Sequence, residues 1–248
     1  MQELLKPIKS ESLKDICITR FEELILSGKL AIGQKLPSER ELALQLGVSR
    51  PVVHEGLVDL AAKGLVSLKP RVGTVVNDYR KEGSLSLLTS LVNYHQGRLD
   101  SGLLNSLLEM RMLFEVETVR LAAQNRSNRH LQAFEKILED QKKVGFDEVD
   151  KITGLDFEFH HLIAMATGNH IYPLLLNSFK QCYINLAGQF FSDPAVVEAV
   201  FIFHEKMVGA IRQKDANGAA AIMQDMLVHG EVHLKRLIES DNKGAEDK

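Results

Sequence analysis

Leu36-Pro37-Ser38-Glu39-Arg40-Glu41-Leu42-Ala43, followed two residues later by Leu46-Gly47-Val48-Ser49-Arg50-Pro51, is the stretch that decides the fold. Ser38 with Glu41 three residues on is a capping-box pattern, in which each side chain satisfies an orphan amide of the first helical turn. It predicts a short helix over Glu39–Leu46, stopped by Gly47 in the place of a C-terminal cap. Ser49 stands at the next N-cap, and Pro51 falls in the first turn, where a missing N–H does no harm. That second helix runs to Lys63 and stops at Gly64. Two helices joined by a Leu-Gly-Val-Ser turn form a helix-turn-helix pattern.

Upstream, Leu13, Ile16, Phe21, Leu24 and Ile25 recur at helical spacing, so Ser12–Ser27 reads as an amphipathic helix ending at Gly28. Downstream the period changes. Leu65-Val66-Ser67-Leu68 and Thr74-Val75-Val76 read as two strands around the basic turn Lys69-Pro70-Arg71-Val72-Gly73. The head is therefore expected to be a winged helix-turn-helix.

Asp78–Ser84 is polar and carries a glycine, and marks the boundary. Beyond it, apolar residues recur at three and four in Leu85–Tyr94, Leu103–Ala123, Leu131–Val144, Ile152–Ala166, Ile171–Phe191, Val196–Ile211 and Ala219–Ile238. Breaks fall at Asp100, Ser127-Asn128, Gly145, Gly168-Asn169, Ser192-Asp193-Pro194 and Asp215. The expected fold is mainly α: a winged helix-turn-helix over 1–78, a linker over 79–84, an all-α bundle of six or seven helices over 85–240, and a polar tail over 241–248.

The composition of the 248 residues, 45% hydrophobic and 25% charged, is ordinary for a globular protein. The longest apolar stretches, such as Val196–Phe203, are far short of the ~20 residues of a membrane span, so no membrane partner is expected. Met1–Ser10 has Lys6 and Lys9 but no apolar run, and no secretory signal is expected. Cys17 and Cys182, the two cysteines, each lie in an apolar helical pattern and read as reduced core residues of a cytoplasmic protein. The net charge of −3 hides a split: residues 1–80 carry +2 and the remainder −5. A weakly basic head sits on an acidic body.

A recognition helix offers its N-terminal side chains to base edges and phosphates. Ser49, Arg50 and His54 are the polar residues at that end. Arg50 can make the bidentate contact to guanine that is the commonest specific readout. Arg40 is placed to touch phosphate, Lys69 and Arg71 in the wing to reach phosphate or minor groove, and Gly73 to let the backbone approach closely. Any one of these charges alone would read as solvated surface; the order of elements points to double-stranded DNA.

In the body, six of the nine histidines lie between residues 160 and 233. Asp156 and His160 are spaced i,i+4 on one helix face. His204 lies in an apolar run on a later helix, and His229 and His233 are again i,i+4 on the last. A carboxylate and imidazoles from three helices suit a transition metal, although each histidine alone reads more readily as a structural residue. Arg111 sits on a long helix with Glu115 at i+4 as a ready counter-ion.

The head motifs, with Gly64-Leu65-Val66 and Arg71-Val72-Gly73-Thr74, resemble the GntR family of bacterial transcription regulators. The resemblance implies operator contacts from Arg40, Ser49, Arg50 and Gly73. Many members carry arginine where this chain has His54, which offers one ring edge rather than a guanidinium fork. Asp156-Phe157-Glu158-Phe159-His160-His161-Leu162-Ile163, Gly168-Asn169, and His204 with Ala210-Ile211 and Asp215 resemble the FCD effector domain of the FadR subfamily. That resemblance places metal ligands at Asp156, His160 and His204. It also implies a fourth histidine where this chain has Met226. Thioether suits a hard or borderline ion poorly, so either His229, one turn further on, is the fourth ligand or the site has only three protein ligands. The same resemblance puts Arg111 in an effector cavity, where it can grip a carboxylate.

The chain is thus expected to be a homodimeric, non-enzymatic regulator. Its head would bind an operator, and its body a small organic acid through zinc, nickel or manganese held by Asp156, His160, His204 and His229. The regulation expected is repression released by that acid. Two other readings stand beside it: a metal-free body that serves dimerisation or takes an uncoordinated ligand, and a metal-dependent hydrolase. Against the hydrolase, no nucleophile-and-base arrangement appears.

Overall fold

The computed structural model describes residues 12–94 and 101–246. Met1–Ser10 and the expected break at Asp100 lie outside them. The chain forms two compact units, Met1–Gln96 and Gly97–Lys248.

The first unit opens with α1 (Leu13–Leu26), capped by Ser12 Oγ, which accepts from Asp15 N at 3.1 Å. Its buried stripe is Cys17, Ile18, Phe21 and Ile25, while Leu13 and Ile16, expected to face inward, are exposed. Helices α2 (Glu39–Leu46) and α3 (Arg50–Ala62) follow. The capping box is formed: Glu41 N donates to Ser38 Oγ at 3.3 Å and Ser38 N to Glu41 Oε2 at 2.8 Å. Gly47 ends α2 in the left-handed region at φ 66°, where only glycine is free of a Cβ penalty. Val53, Leu57 and Leu60 of α3, fully buried, meet α1, and Leu65 closes the core. Strands β1 (Val66–Lys69) and β2 (Gly73–Val76) pair antiparallel, Val66 opposite Val76 and Lys69 opposite Gly73.

The domain boundary differs from the one expected. Residues 79–84 are no free linker, since α4 (Tyr79–Glu82) occupies most of them. Ser84 N and Oγ bond back to the carbonyls of Lys63 and Ala62 at the end of α3. Helix α5 (Leu87–Tyr94) then buries Leu87 in the head core. Lys63 Nζ donates to Glu22 Oε1 at 2.5 Å and to Ser90 Oγ at 3.0 Å, and Ser90 in turn donates to Glu22 at 2.7 Å. A buried polar knot and an apolar anchor thus tie α5 to α1 and α3, so residues 85–94 belong with the head.

The second unit holds seven helices among the described residues: α6 (Ser101–Asn125), α7 (Asn128–Gln141), α8 (Val149–Ala166), α9 (Ile171–Ser178), α10 (Lys180–Phe190), α11 (Pro194–Gln213) and α12 (Ala216–Glu246). Phe134, Ile152, Phe159, Met207, Ile211 and Met223 are fully buried at their common core. The expected single helix over 171–191 breaks at Phe179, whose N–H bonds to Leu176 O in a tight i→i+3 turn; the apolar spacing carries through it. Asp193 caps α11 ahead of Pro194, and α12 continues through most of the expected tail.

Candidate nucleic-acid interface and metal centre

The first turn of α2, the start of α3 and the wing surround one open groove in the head. Arg40, Arg50, Lys69, Arg71 and Gly73 all line it. Ser49 is the N-cap residue of α3 but makes no side-chain cap bond, so its exposed hydroxyl remains available to a ligand. His54 lies one turn beyond Arg50 on α3. The wing turn is built for its charge. Val72 N bonds to Lys69 O at 3.1 Å, Pro70 takes the second position, and Arg71 the third at φ 63°. A type II turn asks for glycine there; an arginine in that place accepts backbone strain to present a guanidinium at the tip. Gly73 at φ 108° has Lys35 Cε only 3.2 Å from where a Cβ would stand.

The role of Glu39 is not legible in the sequence. One oxygen of this carboxylate accepts from Arg50 Nε at 3.1 Å, and the other meets His54 Nδ1 at 2.7 Å. Its position one residue past Ser38 marked it only as an ordinary first-turn acid.

In the body, Asp156, His160 and His204 converge, each buried, with one ligand atom apiece within 4.8 Å of the others. Asp156 and His160 project from α8 at i,i+4; His204 comes from α11. Asp156 Oδ1 lies 3.9 Å from His160 Nε2 and 3.5 Å from His204 Nε2. Atoms bound at ~2.1 Å to one tetrahedral ion stand about 3.4 Å apart, so the spacing suits a shared ion. His204 Nε2 is buried with no hydrogen-bond partner, a costly state for a ring nitrogen unless something else ligates it. Burial, then the neighbouring His160, pushes the His204 pKa well below the ordinary histidine value, which leaves a neutral imidazole. Asp156 is raised by burial.

A supporting shell surrounds these three. His160 Nδ1 is paired with Glu115 Oε2, which aims Nε2 at Asp156. Arg111 Nε donates to Glu115 Oε1 at 2.6 Å. Burial opposes the Glu115 charge, but Arg111 and His160 override it and draw its pKa down to about 2. Tyr183 donates its hydroxyl to Asp156 Oδ2 at 2.5 Å. Behind His204, the Gln141 amide meets Nδ1 at 2.9 Å, and Gln141 Oε1 is unpartnered. Turning that amide lets Nδ1–H donate to Oε1 and gives Nε2 the lone pair a metal needs. The donor set fits a divalent transition metal.

His229 does not join them. Its ring stands 4.6 Å from His233 and 6.0 Å from Phe203. Met226 instead lines the cavity beside Asp156 and His160. Three residues along a helix turn the side chain ~60° away from the earlier position, which is why His229 misses the site. Arg111 does reach this cavity, of about 50 Å³, with its guanidinium 4.9 Å from the centre of the Tyr183 ring. Asp156, His160, Tyr183 and Arg111 make the polar end; Leu186, Phe190, Val200 and Leu227 are among its apolar walls. Glu115 was legible as a partner for Arg111 but not as the support of His160. Tyr183 and Gln141 carried no signal beyond being polar in helical stretches.

Comparison with known proteins agrees with this division. Residues 18–76 match the gntR family of bacterial regulatory proteins, and residues 106–229 match the FCD domain. The HTH-type transcriptional regulator Mce2R of Mycobacterium tuberculosis is 30% identical over 227 residues, covering 90% of this chain and 92% of that protein. The fatty acid metabolism regulator protein of Proteus mirabilis is 27% identical over 84% of each chain. A solved structure described as "Lar controls the expression of the Listeria monocytogenes agr system and mediates virulence" superposes with a TM-score of 0.64 at 17% identity, covering 93% of this chain and all of that one, and so shares the fold. With a winged helix that presents a basic groove and an FCD domain following it in sequence, the chain belongs to the GntR family of DNA-binding transcription regulators.

Proposed function

We propose that this regulator is a homodimeric repressor, released from its operator by a small carboxylate effector bound in the second unit. The observation that carries the effector reading is the buried convergence of Asp156, His160 and the unpartnered Nε2 of His204 beside a cavity that Arg111 lines. These three residues would hold zinc, nickel or manganese, an oxygen–imidazole set unsuited to calcium. A bound ion of this kind supplies a Lewis-acidic position open to an effector carboxylate. Arg111, held protonated because Glu115 outweighs the cost of its burial, places a positive charge at the same end of the cavity. Tyr183 orients the Asp156 carboxylate. Release needs only that the effector prefer the DNA-incompetent arrangement: ~1.4 kcal/mol of differential binding weakens the operator complex tenfold.

In the head, Arg50 reads a base edge, Arg40, Ser49 and the wing residues Lys69, Arg71 and Gly73 hold the backbone, and two heads read two half-sites. A cytoplasmic location follows from that role; no helix among the described residues is long and apolar enough to cross a membrane. A non-catalytic role accords with relatives that are transcription regulators.

Two observations favour a second reading. The Tyr183 bond already satisfies one oxygen of Asp156, and Met226 stands where a fourth histidine was expected; a body without metal would then bind its acid through Arg111 alone. Metal analysis of protein purified without chelator separates the two. A stoichiometric transition metal, with thermal stabilisation by organic acids that is lost on chelation, supports the first. Stabilisation by acids in metal-free protein supports the second. Sedimentation of the full chain tests the dimer, and a monomer at micromolar concentration refutes it.

A further inference from the structure

The buried face of α12 has a notch in it. Met223, Met226, Leu227, Gly230 and Leu234 fall within ~100° of one another around the helix axis, and the four that carry side chains are buried. Gly230 is the member without one, and a Cβ built there would meet nothing within 4 Å. It lines the cavity whose polar end is made by Arg111, Asp156, His160 and Tyr183. A glycine in a helix interior gives up stability that an alanine would keep. Since an alanine has space here, the reason for the glycine is the cavity it leaves open, not the close approach of a neighbour.

We propose that the effector is a short aliphatic acid with a single carboxylate, whose tail fills the notch at Gly230. This rests on the carboxylate reading of the same site. Arg111 donates Nε to Glu115 at 2.6 Å, which leaves its terminal Nη pair for a carboxylate. The Tyr183 hydroxyl is committed to Asp156. Beyond that end the walls are apolar, with Leu186, Phe190, Val200, Met226 and Leu227 among them. Among the described residues, the remaining polar side chain on the lining is Glu231, whose carboxylate accepts from Lys235 Nζ at 2.6 Å.

A hydroxyl on the tail would be desolvated there without a partner, and a second carboxylate would in addition meet the like charge of Glu231. A second cavity, of about 40 Å³, borders the same Arg111 and Tyr183. It offers a polar tail no better place: Leu107, Met110, Phe114 and Leu176 are among its walls, and its one acid, Glu115, is already paired with Arg111 and His160. Volume sets the length of the acid. A water-sized group needs roughly 10–15 Å³ by the same measure, so the cavity of about 50 Å³ beside Gly230 takes about four. That suits acids of about three to five carbons.

The test is titration of the full-length protein, purified without chelator, with acids that differ only at the far end, read as the rise in melting temperature with concentration. Butyrate should bind about tenfold or more tightly than 4-hydroxybutyrate or succinate. From acetate through propionate to butyrate, affinity should rise roughly threefold to fourfold per methylene. Gly230→Val should weaken butyrate by about tenfold, keep acetate within about twofold, and raise the melting temperature of the free protein. Succinate or 4-hydroxybutyrate matching butyrate overturns this inference while the carboxylate reading stands, and that comparison needs no variant. Butyrate binding that Gly230→Val leaves unchanged, or acetate lost equally with it, overturns the placement of the tail. If none of these acids stabilises the protein, the carboxylate reading falls and this inference falls with it.

Discussion

The imidazole of His160 on α8 is held by the carboxylate of Glu115 on α6, Nδ1 against Oε2, with each residue 3% exposed. That pairing points Nε2 toward Asp156. His160→Ala should therefore lose both metal and effector response. Glu115→Gln should keep the ligand but weaken metal affinity by roughly 10–100-fold, the usual cost of losing a partner behind a ligating histidine. Met226→Leu should leave metal content unchanged. Metal analysis after dialysis against graded chelator reads all three, and full metal retention in His160→Ala would refute the ligand assignment.

Glu115 also sets an acid limit on stability. Its folded pKa is about 2, against about 4.3 in an unfolded chain. Between those values the unfolded state binds more protons, so stability is complete above the unfolded value and falls as pH drops toward the folded one. Glu115→Gln should remove this part of the pH dependence and also destabilise the protein near neutrality by leaving Arg111 buried without its partner. Denaturant unfolding at a series of pH values checks it. Wild-type and variant curves that run parallel over this acid range would contradict the assignment.

In the head, Arg50→Ala should abolish preference for the operator over other DNA, because a bidentate base contact is worth ~1–3 kcal/mol of discrimination. Lys69→Ala should weaken binding to all sequences alike and lower the salt slope by about 1. Fluorescence titrations of specific and non-specific duplexes across ionic strengths separate the two behaviours.

Arg71 occupies the left-handed position of the wing turn, a conformation costing an L-residue ~1–2 kcal/mol. Arg71→Gly should thus stabilise the fold by about 1 kcal/mol in denaturant unfolding while weakening DNA binding. A variant that gains stability with unchanged DNA affinity would show that the tip does not touch DNA.

Gly64, at φ 79°, lies so close to α4 that a Cβ would stand 1.9 Å from Glu82 O. Gly64→Ala should destabilise the head by more than ~2 kcal/mol, since positive φ and a backbone clash add. Unfolding followed by circular dichroism measures it.

The helix-turn-helix and its wing were legible because capping residues, glycine stops and the change from helical to strand period act within a few residues of one another. Asp156 with His160 was legible for the same reason: i,i+4 spacing on one helix fixes a shared face. His204 joined them as a candidate by residue type, and as an assigned ligand only through a resemblance, as nothing local joins residues 48 positions apart. His229 failed as a fourth ligand because choosing between it and Met226 needs the rotation of α12 against α8.

Element type, the capping box, the positions of Arg50 and His54 on α3 and the shared face of Asp156 and His160 on α8 were therefore determined by the sequence itself, through backbone geometry and helical period. Tertiary packing alone decided the rest. It carried the head's boundary past residue 84, because Leu87 and Ser90 find their burial and hydrogen bonds on α1 and α3. It turned Glu39 into a shared anchor for Arg50 and His54, and Glu115 into a bridge between Arg111 and His160. Each of these is a contact between side chains on different turns or different helices, and their meeting depends on how the helices cross.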